Sequence, residues 1–340
     1  MQILFVCDPP ETFKPEKDTT RAMMLAAQAR GHSVWACGAD GLQAGWNTQG
    51  LSVSISAQRL RLLPWQGDRA APWYAVESTE VLRPQDLDLA IMRKDPPFDV
   101  QYLVATQMLD RLMAQGLPVI NRPQALRDHG EKMSVLEFAH WAPAGMVSQD
   151  MESLRRFAQD HPQVVYKPLD AMGGAGIFVT HARDPNLPVI IETLTEQGQR
   201  AIMVQRFLPE IAQGDKRILL INGVPVPYCL ARIPPEGASR GNLAAGGRGE
   251  ARPLSNRDRE IAEQIGPVLA QRGLFLVGLD VIGECLTEIN VTSPTGFQEI
   301  ARQTGHDIAA QFVGVLEENF GQASRRVEYL QAAGFQKASS

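Results

Sequence analysis

The chain has 340 residues, of which 44% are apolar and 21% are charged, and its formal net charge is −5 at neutral pH. This length predicts two or three domains, and the apolar share excludes a disordered chain. A mildly acidic chain lacks the basic face that general nucleic-acid binding needs, so we expect no nucleic-acid partner.

Cysteine spacing and the N-terminal residues bear on the compartment. The cysteines are Cys7, Cys37, Cys229 and Cys285. They form no Cys-x-x-Cys pair, which is typical of a reduced compartment, and we expect a cytoplasmic protein. Residues 1–10 lack a positive segment and contain Asp8, so they predict a strand rather than a signal peptide. The longest charge-free run that leans apolar, 218–231, is too short to span a bilayer, which predicts no membrane segment.

The first third of the chain alternates between apolar strands and periodic helices. Residues 2–7 and 33–36 predict strands, and a helix that Asp18 caps and that runs to residue 30 is predicted between them. Further elements are expected as strands at 51–55, 60–63, 87–92 and 117–120 and as a helix at 100–115. A strand, a helix and a strand in this order predict a parallel sheet in an α/β domain.

After about residue 123 the elements become shorter and more irregular. Helices are expected at 131–140, 151–160, 256–272 and 306–319, and strands at 164–167, 177–180, 202–205, 217–221 and 225–231. Residues 278–282 and 286–289 predict a hairpin. The segment 233–252 is rich in glycine, proline and arginine and is too long for a simple connection. The tail after residue 319 shows no pattern and is expected to fray.

A glycine-rich turn follows Lys167, which ends one of these strands. Gly173, Gly174 and Gly176 let successive backbone N–H groups point at one anion, with the lysine charge nearby. The turn is neither a Walker A loop nor a Rossmann fingerprint, because no Gly-Lys-Ser/Thr follows and position 179 is valine. It predicts a phosphate-binding turn, and the alternative is a tight β-turn that holds no ligand.

Oxygen-donor side chains lie along the predicted C-terminal hairpin. Glu288 and Asn290 are two residues apart on one strand and therefore share a face, and Asp280 lies on the partner strand. Such a donor set suits Mg²⁺, which uses one or two carboxylates and completes its shell with phosphates and water. The neighbouring positions are apolar, which favours a cleft over the alternative, a solvated sheet face.

Two basic segments predict contacts with anions. From Arg232 to Arg252 the chain has four arginines, two glutamates and several glycines, which predicts a mobile lid over a polyanion, with a disordered surface loop as the alternative. Arg93, Lys94 and Asp8 follow strands of the first sheet, where ligands of open α/β sheets gather. They predict a clamp for a carboxylate-bearing substrate, with a surface charge cluster as the alternative.

Several longer motifs lie in order along the chain. They are Ile91-Met92-Arg93-Lys94-Asp95-Pro96-Pro97-Phe98-Asp99, Asn121-Arg122-Pro123, Lys167-Pro168-Leu169-Asp170, Gly214-Asp215-Lys216-Arg217, 226–234, 240–249, Gly278-Leu279-Asp280 and 287–295. Through these motifs, residues 1–300 resemble the ATP-grasp superfamily and, within it, the prokaryotic glutathione synthetase family.

The resemblance implies α/β and α+β structure in an ATP-grasp fold. An N-terminal preATP-grasp parallel-sheet domain would occupy 1–123 and a small lid domain 124–207. A C-terminal domain that completes the ATP site would occupy 208–320 with a mobile loop at 233–248, and a tail would follow at 321–340.

The resemblance also implies a reaction. ATP would phosphorylate the cysteinyl carboxylate of γ-glutamylcysteine, the amine of glycine would attack the acyl phosphate, and glutathione, ADP and phosphate would leave. The cofactor would be Mg²⁺ or Mn²⁺, with ATP as a co-substrate, and the family suggests a homotetramer. Such catalysis consists mostly of positioning and charge neutralisation.

The resemblance assigns roles by position. The residues for ATP are Lys132, Lys167, Gly173, Gly174, Gln205, Arg206, Phe207, Leu208, Asp215 and Arg217. The residues for phosphoryl and acyl transfer are Arg217, Arg232, Arg240 and Asn242. The residues for the dipeptide and its acyl phosphate are Asp8, Arg93, Arg240, Ser293 and Thr295. The metal ligands are Asp280, Glu288 and Asn290.

Other classes stay open at this point. Another ATP-grasp ligase would keep the ATP site but not the segment 93–97 together with the long loop. An ATP-binding module without catalysis predicts gaps among the phosphate and metal residues, and none is missing here. A dinucleotide-dependent oxidoreductase is disfavoured, because no glycine fingerprint follows the first strand. The chain departs from the family pattern at Ala171 and over 296–300.

Overall fold

The structure is a computed structural model that describes residues 1–48, 50–65, 67–68, 71–170, 173–236 and 246–335. The strands are β1 (Gln2–Cys7), β2 (Ser33–Cys37), β3 (Leu42–Asn47), β4 (Gly50–Leu62), β5 (Tyr74–Leu82), β6 (Leu89–Arg93), β7 (Val119–Ile120), β8 (Gly145–Ser148), β9 (Val164–Pro168), β10 (Phe178–Thr180), β11 (Ile202–Arg206), β12 (Asp215–Ile221), β13 (Val224–Ile233), β14 (Arg248–Pro253), β15 (Leu276–Ile282) and β16 (Cys285–Asn290). The α-helices are α1 (Thr19–Ala29), α2 (Val100–Ala114), α3 (Pro123–Asp128), α4 (Met151–Gln159), α5 (Leu187–Leu194), α6 (Asn256–Gln271), α7 (Phe297–Thr304), α8 (Ile308–Phe320) and α9 (Ala323–Ala332). No helix within these ranges combines the length and the apolar character that crossing a membrane requires.

The N-terminal sheet is mixed, which corrects the prediction of a parallel-sheet domain. Strands β2, β1, β6 and β7 run parallel as predicted, whereas β3, β4 and β5 join in antiparallel orientation. The predicted strands 51–55 and 60–63 are one strand, β4. Its first half buries odd-numbered residues in one core cluster and its second half buries even-numbered residues in another. The alternation that marks a strand therefore breaks in the middle, which explains the wrong prediction.

Different helices cover the two faces of this sheet. One core cluster contains residues of α2, and the other contains residues of α1 and α8. Both clusters continue into the sheet formed by β14, β13, β12, β15 and β16, which is antiparallel. The first and last sheets therefore share their hydrophobic cores.

The middle sheet has strand order β10-β9-β11-β8 and is antiparallel. It packs on α4 and α5 around a core cluster of its own, in which Tyr166 is fully buried and donates a hydrogen bond from its hydroxyl to the carbonyl of Leu154 at 2.7 Å. A separate core is typical of a unit that moves as one body.

The C-terminal sheet confirms the predicted hairpin, which β15 and β16 form. The expected long connection is shorter than predicted, because Arg248–Pro253 forms β14 and pairs with β13. The predicted site residues Arg240 and Asn242 lie outside the described residues. The mobility of 233–248 therefore stays a prediction.

Of two further predictions, one holds with shifted bounds and the other is wrong. The expected short helix 131–140 is present as a 3-10 helix, Met133–Trp141. The expected frayed tail contains α9, whose Tyr329 donates from its hydroxyl to the carbonyl of Val119 at 2.7 Å and packs edge-on against Phe320 at 5.0 Å. This helix is held by residues far away in the chain, so no local pattern predicts its docking.

Candidate active site

One cavity of about 720 Å³ opens where residues from the three sheets meet. Every predicted site residue within the described ranges lines it. They are Asp8, Arg93, Lys132, Lys167, Gly173, Gly174, Gln205, Arg206, Phe207, Leu208, Asp215, Arg217, Arg232, Asp280, Glu288, Asn290, Ser293 and Thr295. The fold thus brings residues from both ends of the chain to one place, while their individual roles stay predictions.

A buried carboxylate lies between two guanidinium groups in the cavity wall. Arg217 Nε and Nη2 donate to the two oxygens of Asp280 at 2.6 and 3.2 Å, and Arg232 Nη2 lies 2.8 Å from Asp280 Oδ2. The register places Arg217 directly opposite Asp280 on β12 and β15. Burial raises the pKa of Asp280, but the two guanidinium groups outweigh it and hold this pKa well below its usual range.

Asp215 shares Arg232 with Asp280. Arg232 Nη2 donates to Asp215 Oδ2. Burial raises the pKa of Asp215 to about 6, because Arg232 offsets the loss of hydration only in part. Within the described part of the chain, Asp215 Oδ1 is buried without a hydrogen-bond partner. An acceptor of this kind is suited to a hydroxyl or amine of a ligand.

Two buried lysines from different elements converge on β16. Lys132 Nζ lies 2.9 Å from Glu288 Oε1, and Lys167 Nζ donates to the carbonyl of Thr287 at 3.3 Å. Burial lowers the pKa of Lys167, and Glu288 opposes this effect. Ammonium groups placed in this way can each bind a phosphate oxygen as a point charge.

The predicted metal ligands lie side by side on the hairpin. Asp280 is opposite Glu288, and Gly278 is opposite Asn290. Two carboxylates and an amide oxygen form a donor set that fits Mg²⁺ when phosphate oxygens complete the shell. The described residues contain no group of three His, Cys, Asp or Glu side chains that could hold a metal by themselves.

The turn between β9 and β10 requires its glycines. Gly173, Gly174 and Gly176 have φ angles of +63°, +83° and +68°, which other residues adopt only at a cost. A Cβ on Gly176 would lie 3.0 Å from Pro168 Cγ. The turn can therefore present backbone groups to the cavity without side chains between them.

Another part of the wall is apolar. Its residues are Val165, Pro168, Ile177, Val179, Phe207, Leu208, Ile211 and Ile282. In the predicted adenine-binding segment 205–208, the N–H of Arg206 donates to Ala144 O at 2.8 Å and that of Phe207 donates to Gln163 O at 3.0 Å. These two amides are used within the protein, so other backbone groups of the segment would have to contact a base.

At the predicted substrate end of the cavity, hydrogen bonds connect residues that follow strands of the first sheet to a residue that follows the last strand of the C-terminal sheet. Asp8 accepts from Lys94 Nζ at 3.4 Å and from the N–H of Asp95 at 2.9 Å, and the Ser293 hydroxyl donates to Asp95. Arg93 is only 4% exposed and donates from Nε to a threonine hydroxyl, that of Thr20, at 3.1 Å. Burial lowers the pKa of the Arg93 guanidinium.

Comparison with known proteins places this site in a family. Residues 1–127 match the model of the prokaryotic glutathione synthetase N-terminal domain, and residues 131–305 match that of the prokaryotic glutathione synthetase ATP-grasp domain. The chain belongs to the prokaryotic glutathione synthetase family. It is similar to the glutathione synthetase of Nitrosomonas europaea, with 48% identity over 326 residues that span 96% of this chain and 100% of the relative.

Solved structures agree with the family at the level of the fold. D-cycloserine synthetase DcsG superposes with a TM-score of 0.65 at 13% identity and covers 94% of this chain and 99% of its own. The ATP-grasp ligase PsnB, complexed with minimal precursor, Mg and ADP, superposes with a TM-score of 0.60 at 17% identity and covers 94% of this chain and 98% of its own. The predicted ATP-grasp fold is confirmed.

Sequence reasoning missed several charged residues in the cavity of this family member. They are Lys14, Lys17, Asp18, Glu131 and Glu299. The sequence predicted Asp18 only as the cap of a helix, and Glu299 lies in the segment where the chain departs from the family pattern. Glu131 accepts from the N–H groups of Val291 and Thr292 at 3.0 and 3.2 Å. Its position next to Lys132 was the one available signal.

Proposed function

We propose that this chain joins γ-glutamylcysteine to glycine through an acyl phosphate, with ATP as the phosphoryl donor, and releases glutathione, ADP and phosphate. Membership of the prokaryotic glutathione synthetase family supports this reaction. The observation that carries it is the single cavity in which the Arg217–Asp280–Arg232 cluster meets Lys132 and Lys167.

ATP binds in the cavity with its phosphates on the charged wall and its base on the apolar wall. Lys132, Lys167 and the backbone of the glycine turn hold the phosphates, as oxygen anions require. Asp215 Oδ1 accepts from a ribose hydroxyl, which gives this buried acceptor a partner. The apolar residues around segment 205–208 enclose adenine.

Mg²⁺ is the proposed cofactor, and when bound it neutralises phosphate charge. Its proposed ligands are Asp280, Glu288 and Asn290. The donor chemistry of the hairpin supports this assignment, and the fold is shared with the ligase PsnB, which was solved with Mg and ADP.

The reaction needs activation of a carboxylate, which is a poor electrophile. Arg217 and Arg232 lie beside the phosphate site and stabilise the charge that develops on the transferring phosphoryl group. Asp8, Arg93, Ser293 and Thr295 position the dipeptide so that its cysteinyl carboxylate faces ATP. Arg240 and Asn242 on the loop 233–248 exclude water from the acyl phosphate once both substrates are bound.

Closure of the middle sheet over ATP is part of the proposal. The separate core around Tyr166 supports a lid that moves as one body against the other two sheets. The separate core supports such a lid for residues 146–204. The full division into 1–123, 124–207 and 208–320 stays a prediction, because Leu126, Phe138 and Trp141 belong to the core that the first and last sheets share. A homotetramer stays a prediction from the family.

An omission experiment tests the reaction. The purified protein is incubated with Mg-ATP, γ-glutamylcysteine and glycine, each left out in turn, and ADP and glutathione are quantified. We expect equal amounts of both products and only when every component is present. ADP release without glycine, or no release at all, would contradict this reaction and point to another ATP-grasp carboxylate–amine ligase.

A further inference from the structure

Two charged side chains at one end of the cavity each have a buried polar atom without a hydrogen-bond partner, although Arg93 donates from Nε to Thr20 and Glu299 is only partly buried. Arg93 Nη1 and Glu299 Oε2 are each buried with no hydrogen-bond partner among the described residues. Both side chains line the cavity. Burial of a charged group without a partner is unfavourable, and such a group calls for an explanation. A ligand that brings a carboxylate and a cation would pair both.

This end wall is held in place by contacts outside the cavity. Glu299 lies in the first turn of α7. From the same helix, Gln298 Nε2 donates to the carbonyls of Pro15 and Asp18, and Arg302 donates to the carbonyl of Glu16. Segment 12–18 and the start of α7 therefore form one wall.

The charge balance of the wall favours a cation beside Glu299. Gln298, which precedes Glu299, donates to the carbonyl of Asp18, so both carboxyl groups belong to this wall. Burial raises the pKa of both. Arg302 and Lys17 lower the pKa of Glu299 against the effect of Asp18, and Arg93 lowers that of Asp18. An ammonium group beside these carboxylates would oppose their repulsion, and Arg93, which lines the same cavity, offers a cationic partner for a carboxylate of the same ligand.

We infer that Glu299, with Asp18, binds the α-ammonium group of the γ-glutamyl residue, while Arg93 binds its α-carboxylate. The inference rests on the proposed function. A γ-linked glutamyl residue has both charges on one carbon, whereas an α-linked one separates them by a side chain. The head of an extended dipeptide lies about 7 Å from its reacting carboxylate, so its contacts are separate from those of the reacting group. This wall would select γ-linked over α-linked substrates.

Substrate analogues separate the two contacts. We compare kcat/KM for γ-glutamylcysteine and for glutarylcysteine, which lacks only the ammonium group, and use the competitive inhibition constant if the analogue is not turned over. The wild type should prefer the natural substrate, and Glu299→Gln should lower this preference about 10- to 100-fold, as expected for a buried charge-assisted hydrogen bond. Glu318→Gln, on an exposed position of α8, should keep the wild-type preference.

A second comparison of substrates tests the contact between Arg93 and the α-carboxylate. Arg93→Lys should lower the preference for γ-glutamylcysteine over 4-aminobutanoylcysteine, which lacks only the α-carboxylate, and thermal unfolding is measured alongside because Arg93 is buried. Equal losses for natural substrate and analogue in Glu299→Gln, or a change confined to the KM of glycine, would overturn the inference. Failure of the wild type to release ADP with γ-glutamylcysteine would instead contradict the proposed function.

Discussion

The acidic side chains of the C-terminal hairpin obtain their basic partners from other parts of the chain. Arg217 reaches Asp280 across neighbouring strands, and Lys132 reaches Glu288 from the segment that follows the first sheet. Removing one partner of such a buried pair leaves an uncompensated charge. Single substitutions here should therefore change ligand binding together with stability.

Glu288→Gln should raise the Mg²⁺ concentration needed for half-maximal ADP release about tenfold or more, because a neutral amide replaces a charged metal ligand. The measurement is a Mg²⁺ titration at fixed total ATP. Glu284→Gln, an exposed change at the turn of the same hairpin, should leave the titration unchanged. The same midpoint for Glu288→Gln and wild type would contradict the metal assignment.

Asp215 should make stability depend on pH in a defined direction. Its pKa is about 6 in the folded protein against 3.8 ordinarily, so between these values the folded state holds a proton that the unfolded state has lost. The stability from this group is present below about pH 4 and is lost as the pH rises through 6.

Comparison with Asp215→Asn isolates this effect. The free energy of unfolding of the wild type minus that of the variant should fall by on the order of 1–3 kcal/mol from pH 4 to pH 7, as urea unfolding can measure. The same difference for Asp160→Asn, at an exposed position after α4, should not vary with pH. A difference that rises with pH for Asp215→Asn would show that the sign is wrong.

At the scale of elements, the segments that were predicted keep one unbroken apolar pattern. Strand β1 is a continuous apolar run that is buried on both faces, and helices α1 and α6 each keep one apolar stripe after a clear cap. Strand β4 buries opposite faces in its two halves, so its period broke. Helix α9 is polar over most of its length and docks through few side chains. Local pattern is too weak a signal in both cases.

Tyr329→Ala should lower the free energy of unfolding by about 2–3 kcal/mol, because it removes a partly buried ring and its hydrogen bond to Val119. Tyr329→Phe should lower it by about 1 kcal/mol, since only the hydrogen bond is lost. Denaturant unfolding measures both. Glu328→Ala, exposed on the same helix, is the control. Equal stability of Tyr329→Ala and this control would mean that α9 does not dock as described.

At the scale of the whole molecule, the first and last sheets form one body and the middle sheet stands apart. Two hydrophobic clusters run from the first sheet into the last, whereas the middle sheet has its own. Asn121 adds a polar link. Its amide donates to Leu276 O and Val291 O at 2.8 and 2.7 Å and accepts from the N–H groups of Phe275 and Leu276 at 2.7 and 2.9 Å.

Asn121→Ala should lower the free energy of unfolding by about 3–5 kcal/mol, because it leaves four buried backbone groups without these partners. Calorimetry measures the loss, and Gln124→Ala, exposed at the start of α3, should cost little. A loss no larger than that of the control would contradict a polar link between the two sheets.

The sequence by itself determined the order of most elements and the ATP-grasp fold, and it supplied the residues proposed for the phosphate and metal sites, because these reside in local periodicity and in contiguous motifs. Tertiary structure alone decided that Asp280 is shared by Arg217 and Arg232, and that Glu299 and Asp18 face the cavity next to Arg93. Pairing across strands and burial of charge depend on contacts between residues far apart in the chain, which neither composition nor spacing encodes.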